Sequence, residues 1–182
     1  AYRALMDEEK WLKATHEILE RFPLNSHMRR KVAQFYQMNG QTGDALDLLK
    51  KGIELVPMDD NLRLDYILLL FQLDKHAEAK QAIRAAMLFA PESVYLRDEL
   101  VQLLFDHGED ELAVDIARGG VEVYPDGAAL WFSLASALWR SRFHTDMEVV
   151  ESYFNKALAF TPDHFDAADS LARLLTVRQQ YD

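Results

Sequence analysis

Cysteine is absent from this 182-residue chain, so disulfides and thiolate chemistry are excluded, although either side of a membrane remains open as the compartment. No apolar run approaches the roughly 20 residues needed to cross a bilayer, and no signal-peptide pattern opens the chain. Direct membrane insertion is therefore not expected. Positive charge is in deficit: 20 Lys and Arg face 30 Asp and Glu, for a net charge of −10. A surface of that sign repels phosphate backbones, which argues against a nucleic-acid ligand. The deficit is local, with residues 1–59 neutral, residues 60–127 at −8 and residues 128–182 at −2. Hydrophobic residues make up 49% of the chain, ample for a core.

Proline is also scarce, and its placement is informative. The five prolines are Pro23, Pro57, Pro91, Pro125 and Pro162, with three gaps of 34 residues and a last one of 37. Ala45, Ala79 and Ala113 keep the same step, and seven residues after each comes a small residue, Gly52, Ala86 or Gly120. Between prolines the apolar spacing predicts two helices. Met28, Val32, Ala33, Phe35 and Tyr36 form one stripe, broken at Gly40; Ala45, Leu48, Leu49, Gly52 and Ile53 form the next, ending before Pro57. Proline cannot continue a helix, because it has no N–H and restricts its predecessor. No stretch alternates with period two, so no sheet is expected. Turns are predicted near residues 40–43, 74–77, 107–110 and 141–146.

A 34-residue helix hairpin with these small residues resembles the tetratricopeptide repeat, whose signature is W-x2-L-G-x2-Y, then A-x3-F, then P. The fourth unit carries it best, with Trp131, Leu134, Ala135, Leu138, Phe154, Ala157 and Pro162; the first has Ala33, Tyr36, Ala45, Leu49, Gly52 and Pro57. The resemblance implies an all-α fold, a right-handed solenoid of helix hairpins. Repeats are expected at 26–59, 60–93, 94–127 and 128–164, with partial repeats at 1–25 and 165–182. Residues 1–10 should end an earlier first helix and residues 11–22 should form a second one. The fourth unit holds three extra residues, around its turn. One departure recurs: the usual large residue at unit position 4 is Arg29, Arg63 and Arg97, so its packing role should pass to Met28, Leu62 and Leu96. No polar capping helix is visible at either end, which suggests a piece of a longer array. Uncapped ends carrying Trp11, Leu171 and Leu175 would allow end-to-end self-association.

Residue patterns for chemistry are lacking. None of the six histidines pairs with another at the i, i+4 spacing that places two imidazoles on one helical face. The acidic run Asp106 to Glu111 lacks the order of a calcium loop and falls at a predicted turn. No phosphate-binding glycine loop, nucleophile elbow or kinase signature occurs. No enzyme activity, metal or cofactor is expected within these residues.

The resemblance further implies that first helices line a concave groove. The positions so marked include Leu64, Leu68 and Phe71 in the second unit, Tyr95, Asp98, Glu99 and Phe105 in the third, and Phe132 and Trp139 in the fourth. Phe71, Phe105 and Trp139 form an aromatic ladder at 34-residue steps, and Asp65, Asp98, Glu99 and Asp106 lie beside it. Such a surface suits a peptide or helix with apolar anchors and basic flanks. The other reading is that position 12 is aromatic for packing between helices. Some relatives grip a C-terminal carboxylate of chaperone tails; Arg30 and Gln34 would suit the first such position, but Leu68, Tyr95 and Glu99 at later ones disfavour it. The expected function is a protein–protein interaction scaffold. The alternatives are a recruiting or regulatory arm of a larger enzyme and a part of an envelope secretion or polysaccharide-export machine, with a pentatricopeptide-type RNA binder the weakest.

Overall fold

The computed structural model describes residues 2–141 and 146–179. Among these residues the chain forms ten α-helices and no strand. They are α1 (Tyr2–Arg21), α2 (Ser26–Met38), α3 (Thr42–Leu55), α4 (Asp60–Gln72), α5 (His76–Phe89), α6 (Val94–Asp106), α7 (Asp110–Val123), α8 (Ala128–Arg140), α9 (Met147–Phe160) and α10 (Phe165–Gln179). Two units, residues 1–86 and 87–182, each cohere internally.

The first helix of each repeat starts where a short polar side chain takes up a free backbone N–H. Asn25 accepts from Met28 N at 3.0 Å, Asp59 from Leu62 N at 3.1 Å and Ser93 from Leu96 N at 3.1 Å. Each such cap is worth about 1 kcal/mol. The fourth member of this series, Gly127, supplies no side chain.

The helices end as regularly. Gly40, Asp74 and Gly108 adopt φ of 73°, 57° and 71°, the left-handed conformation that lets the next N–H fold back onto the helix. Accordingly Gln41 N reaches Tyr36 O at 2.8 Å, Lys75 N reaches Leu70 O at 2.9 Å, and Glu109 N reaches Leu104 O at 2.9 Å. The turns occupy residues 39–41, 73–75 and 107–109, within two residues of expectation. Residues 142–145 of the fourth predicted turn lie outside the described residues, as do Tyr181 and Asp182 at the chain end.

One expectation fails. Residues 1–10 and 11–22 were expected to be two helices, but α1 runs unbroken through this stretch. The position 34 residues before Gly40 is Met6. Unlike glycine or aspartate, methionine does not readily take a positive φ, and neither glycine nor proline interrupts the run.

In the first unit, α2 packs on α3, α3 on α4, and α2 on α4. Ala33, Ala45, Leu49, Leu62 and Leu69 form its core, with Tyr36, Ile53 and Tyr66 partly buried around them. In the second unit, α6 packs on α7, α7 on α8, α8 on α9, and α9 on α10. Ala135, Val150, Phe154 and Leu174 form a core there, backed by Phe132, Leu138, Trp139 and Leu171. Leu171 and Leu175 are thus partly covered, while Trp11 is exposed but lies 5.1 Å from the Phe35 ring.

Ala45, Ala79 and Ala113 are completely buried, as close helix crossing requires. Ala113→Leu should overpack the α6–α7 crossing and cost about 1–3 kcal/mol, read as a lower urea midpoint with an unchanged slope.

Candidate partner-binding surface

The arginines at unit position 4 are not surface residues. Arg29, Arg63 and Arg97 are 3%, 7% and 4% exposed. Each sends Nη2 to the carbonyl of the proline six residues earlier: Arg29 to Pro23 at 2.8 Å, Arg63 to Pro57, and Arg97 to Pro91 at 2.8 Å. In the fourth repeat Trp131 does the same, its Nε1 donating to Pro125 O at 2.6 Å. These carbonyls lie just beyond the C-terminal ends of α1, α3, α5 and α7, where unpaired carbonyls and the helix dipole favour a donor, and a cationic one most. Arg97 also donates through Nη1 to Ile116 O at 2.6 Å. Burial holds all three guanidinium groups below the usual arginine pKa; Asp60 and Asp98 partly counter this for Arg63 and Arg97.

The small residues make room for these side chains. A Cβ on Gly52 would stand 2.4 Å from Arg29 Cδ, and one on Gly120 would stand 2.6 Å from Arg97 Cδ. Leu62 and Leu96 are fully buried, as expected of the residues preceding the arginines, whereas Met28 is only partly so. The sequence signal for arginine burial was present, in three arginines and their small partners at one period. It reads as a departure from the motif only if arginine is assumed to be exposed.

The faces of the first helices carry the residues marked for binding. In the first unit, α2 and α4 enclose a cavity of about 390 Å³ lined by His27, Arg30, Gln34, Gln37, Asp65 and Leu68, among others. Arg30 grips Asp65 with two bonds, Nε to Oδ2 at 2.5 Å and Nη2 to Oδ1 at 3.0 Å. Leu68 is 39% exposed and Leu64 partly so. Phe71 differs from expectation: it is 2% exposed, with its ring edge-on to His76 at 5.4 Å. As placed, it presents no surface to a ligand. An aromatic in this register fills the α4–α5 corner instead.

In the second unit Tyr95 is 52% exposed, Glu99 is exposed, and Phe105, Phe132 and Trp139 are partly buried. Trp139 meets Phe154 edge-on at 6.1 Å, and Phe132 lies tilted against His164, ring centres 4.9 Å apart, so both also serve the core. Arg140 lies over Phe105, its Cζ 4.3 Å from the ring centre, and Nη1 donates to Gln102 Oε1 at 2.5 Å. Asp98 is partly buried, and its Oδ1 is sealed from solvent without a hydrogen-bond partner. Burial pushes its pKa above the usual aspartate range; a Ser133 hydrogen bond and Arg97 oppose the shift, and Glu99 adds to it.

A third surface feature was not anticipated. Leu55, Phe89, Val123 and Phe160, at the last turns of the second helices, are all exposed. Among the described residues no group of three metal-ligating side chains occurs, and no helix is long and apolar enough to cross a membrane.

Capped helix hairpins of this length, joined through a position-4 donor and a proline carbonyl, define an all-α solenoid of the tetratricopeptide type. Solved structures agree. MamA (residues 41 to the end) from Desulfovibrio magneticus RS-1 superposes with a TM-score of 0.53 at 18% identity, over 85% of each chain. YrrB, described as a tetratricopeptide-repeat protein with an unusual peptide-binding site, gives 0.51 at 16% identity over 92% of this chain and 85% of its own. Yeast Tom70 gives 0.65 at 16% identity over 93% of this chain and 36% of its own. These likenesses establish the fold. No protein-family model and no curated protein matches the sequence.

Arg97→Met should strand the Pro91 and Ile116 carbonyls and cost roughly 2 kcal/mol or more, whereas Arg118→Met, which removes an exposed ion pair to Asp115, should cost under about 1 kcal/mol. Chemical denaturation of the two variants distinguishes them. Asp98 works in the opposite sense. With its folded pKa raised, its contribution to stability is full below the ordinary aspartate pKa and lost as pH rises through the raised value. Asp98→Asn should therefore raise Tm at neutral pH, and the gain should vanish below pH 3.8, the ordinary value.

Proposed function

We propose that this chain is a protein–protein interaction scaffold that binds a partner peptide or helix on the faces of its first helices. One observation carries the reading. On α6 and α8 an exposed Tyr95 and the half-buried Phe105, Phe132 and Trp139 share a face with Asp98 and Glu99. Apolar anchors with charge beside them are what a helix or extended peptide with apolar side chains and basic flanks would meet. In the first unit Leu64 and Leu68 offer a smaller apolar area beside the Arg30–Asp65 pair. The peptide-binding site in the description of YrrB supports the choice of a peptide, since the two proteins share a fold. No reaction is proposed for these residues.

The variants differ in what they report. Tyr95→Ala removes an exposed ring and should weaken peptide binding with little change in Tm. Trp139→Ala and Phe105→Ala should each abolish binding, a loss of about 2 kcal/mol or more, with helicity by circular dichroism retained. Trp139→Ala should also lower Tm, because the indole packs on Phe154. Calorimetric titration with peptides selected on the wild-type chain provides the measurement. Normal binding by all three variants would remove the first-helix face from consideration.

A further inference from the structure

Three glutamines line the cavity of about 390 Å³ between α2 and α4: Gln34 and Gln37 from α2, and Gln72 from α4. Gln34 and Gln37 stand three residues apart, on one face of their helix, and Gln72 reaches the same space from the facing helix. The sequence marks the place. At the twelfth position of the repeat, where the next three repeats carry Phe71, Phe105 and Trp139, the first carries Gln37. Among the described residues, none of the three side-chain amides has a hydrogen-bond partner in the protein. Each therefore keeps two donors and an acceptor to offer a ligand.

The charges around these amides limit what can enter. Arg30 and Asp65 line the same cavity and already hold each other with two bonds. Lys31, the remaining residue of fixed charge in the lining, is exposed, so solvent and salt screen it. An incoming carboxylate would lie beside the Asp65 carboxylate, and an incoming cation beside Arg30 and Lys31. Like charges at that range repel. A neutral group that both donates and accepts meets neither objection, and an amide is such a group. Ligand sites span roughly 300–1,000 Å³, so this cavity is among the small ones and has room for a side chain rather than a length of main chain.

We infer that the cavity between α2 and α4 is a carboxamide site, which takes an asparagine or glutamine side chain of a partner peptide between Gln34, Gln37 and Gln72. The inference rests on the proposed peptide-binding role and names what the first unit recognises. The ligand amide donates to one glutamine oxygen and accepts from the N–H of another. Leu68, 39% exposed in the same lining, packs on its methylene stem. An aspartate or glutamate of the same shape brings no donor and meets Asp65, so the site rejects it.

The test uses a random twelve-residue peptide library displayed on phage. The library is depleted on the full chain carrying Gln34→Met and Gln37→Met together, then selected on the wild type. Gln34 is exposed and Gln37 half-buried, and methionine keeps their length, so the double variant should match the wild type in helicity and Tm. Surviving peptides should share asparagine or glutamine at one register. Replacing that residue by leucine in synthetic copies should cost about tenfold in affinity for the wild type, the scale of one or two lost hydrogen bonds. On the double variant the same replacement should cost less than about twofold, since the partner amides are already gone. Gln81→Met, at an exposed site on α5, should bind the peptides within about twofold of wild type. The carboxamide site is overturned if no peptide survives depletion, if survivors carry a fixed aspartate or glutamate, or if they share no side chain, as main-chain contacts would give. It is also overturned if leucine costs the same on both proteins. Peptides selected directly on the wild type then decide the broader reading. Lost affinity for Tyr95→Ala, Phe105→Ala or Trp139→Ala leaves peptide binding on the first helices standing, and indifference to all three overturns it as well.

Discussion

The hydrogen bond from the fourth residue of each repeat to the carbonyl of the preceding proline ties the start of each first helix to the segment that precedes it. Proline ends a helix by lacking an N–H, yet its carbonyl remains as an acceptor at the negative end of the helix dipole. A donor from the next helix meets it, so the element that breaks one hairpin also fastens the following one. Three arginines and one tryptophan perform this task. The cost is a buried cation, tolerable because the guanidinium spreads its charge and the acceptors are backbone carbonyls at a helix end. The stem needs space, which accounts for Gly52 and Gly120 in their helices. At the equivalent register position the second repeat has Ala86, also buried.

The period was fully legible, since five prolines and the small residues stepping with them admit few other folds. The turn positions were legible from the same spacing; the caps Asn25, Asp59 and Ser93 and the left-handed residues Gly40, Asp74 and Gly108 keep that 34-residue step, each doing one local job seen in the structure. Three things were not read from the sequence. The continuity of α1 depends on what Met6 cannot do, and a motif read by its positive matches passes over such a residue. The burial of Arg29, Arg63 and Arg97 was signalled by their period and small partners, but arginine is ordinarily taken as exposed, and the proline carbonyls that accept from them show only in the structure. The fate of Phe71 depends on which side of α4 its ring turns to, and a register position fixes a direction only to within a rotamer. Phe71 took the corner beside His76, while Leu68 one turn away stayed open.

The proposed binding face is consequently less apolar than a ladder of three aromatic residues. Phe132 and Trp139 divide their surface between core and exterior, Phe105 is overlaid by Arg140, and Tyr95 is the most exposed of the four rings. What distinguishes the two units is charge balance. The first closes Asp65 with Arg30, whereas the second sets Asp98 between the Ser133 hydroxyl and Arg97. The −8 carried by residues 60–127 is thus not uniform: Glu111 and Asp115 are exposed, and Asp98 is partly buried.

The central claim is that recognition takes place on the first helices, although exposed Leu55 in the first unit and Phe89, Val123 and Phe160 in the second offer rival apolar sites at the ends of the second helices. Nuclear magnetic resonance titration of the isotopically labelled chain with a single selected peptide decides between them. The account predicts that shifted amides and side chains cluster on α6 and α8, around Tyr95, Asp98, Phe105, Ser133 and Trp139. Shifts confined to the last turns of α3, α5, α7 and α9, with those residues unmoved, would contradict it.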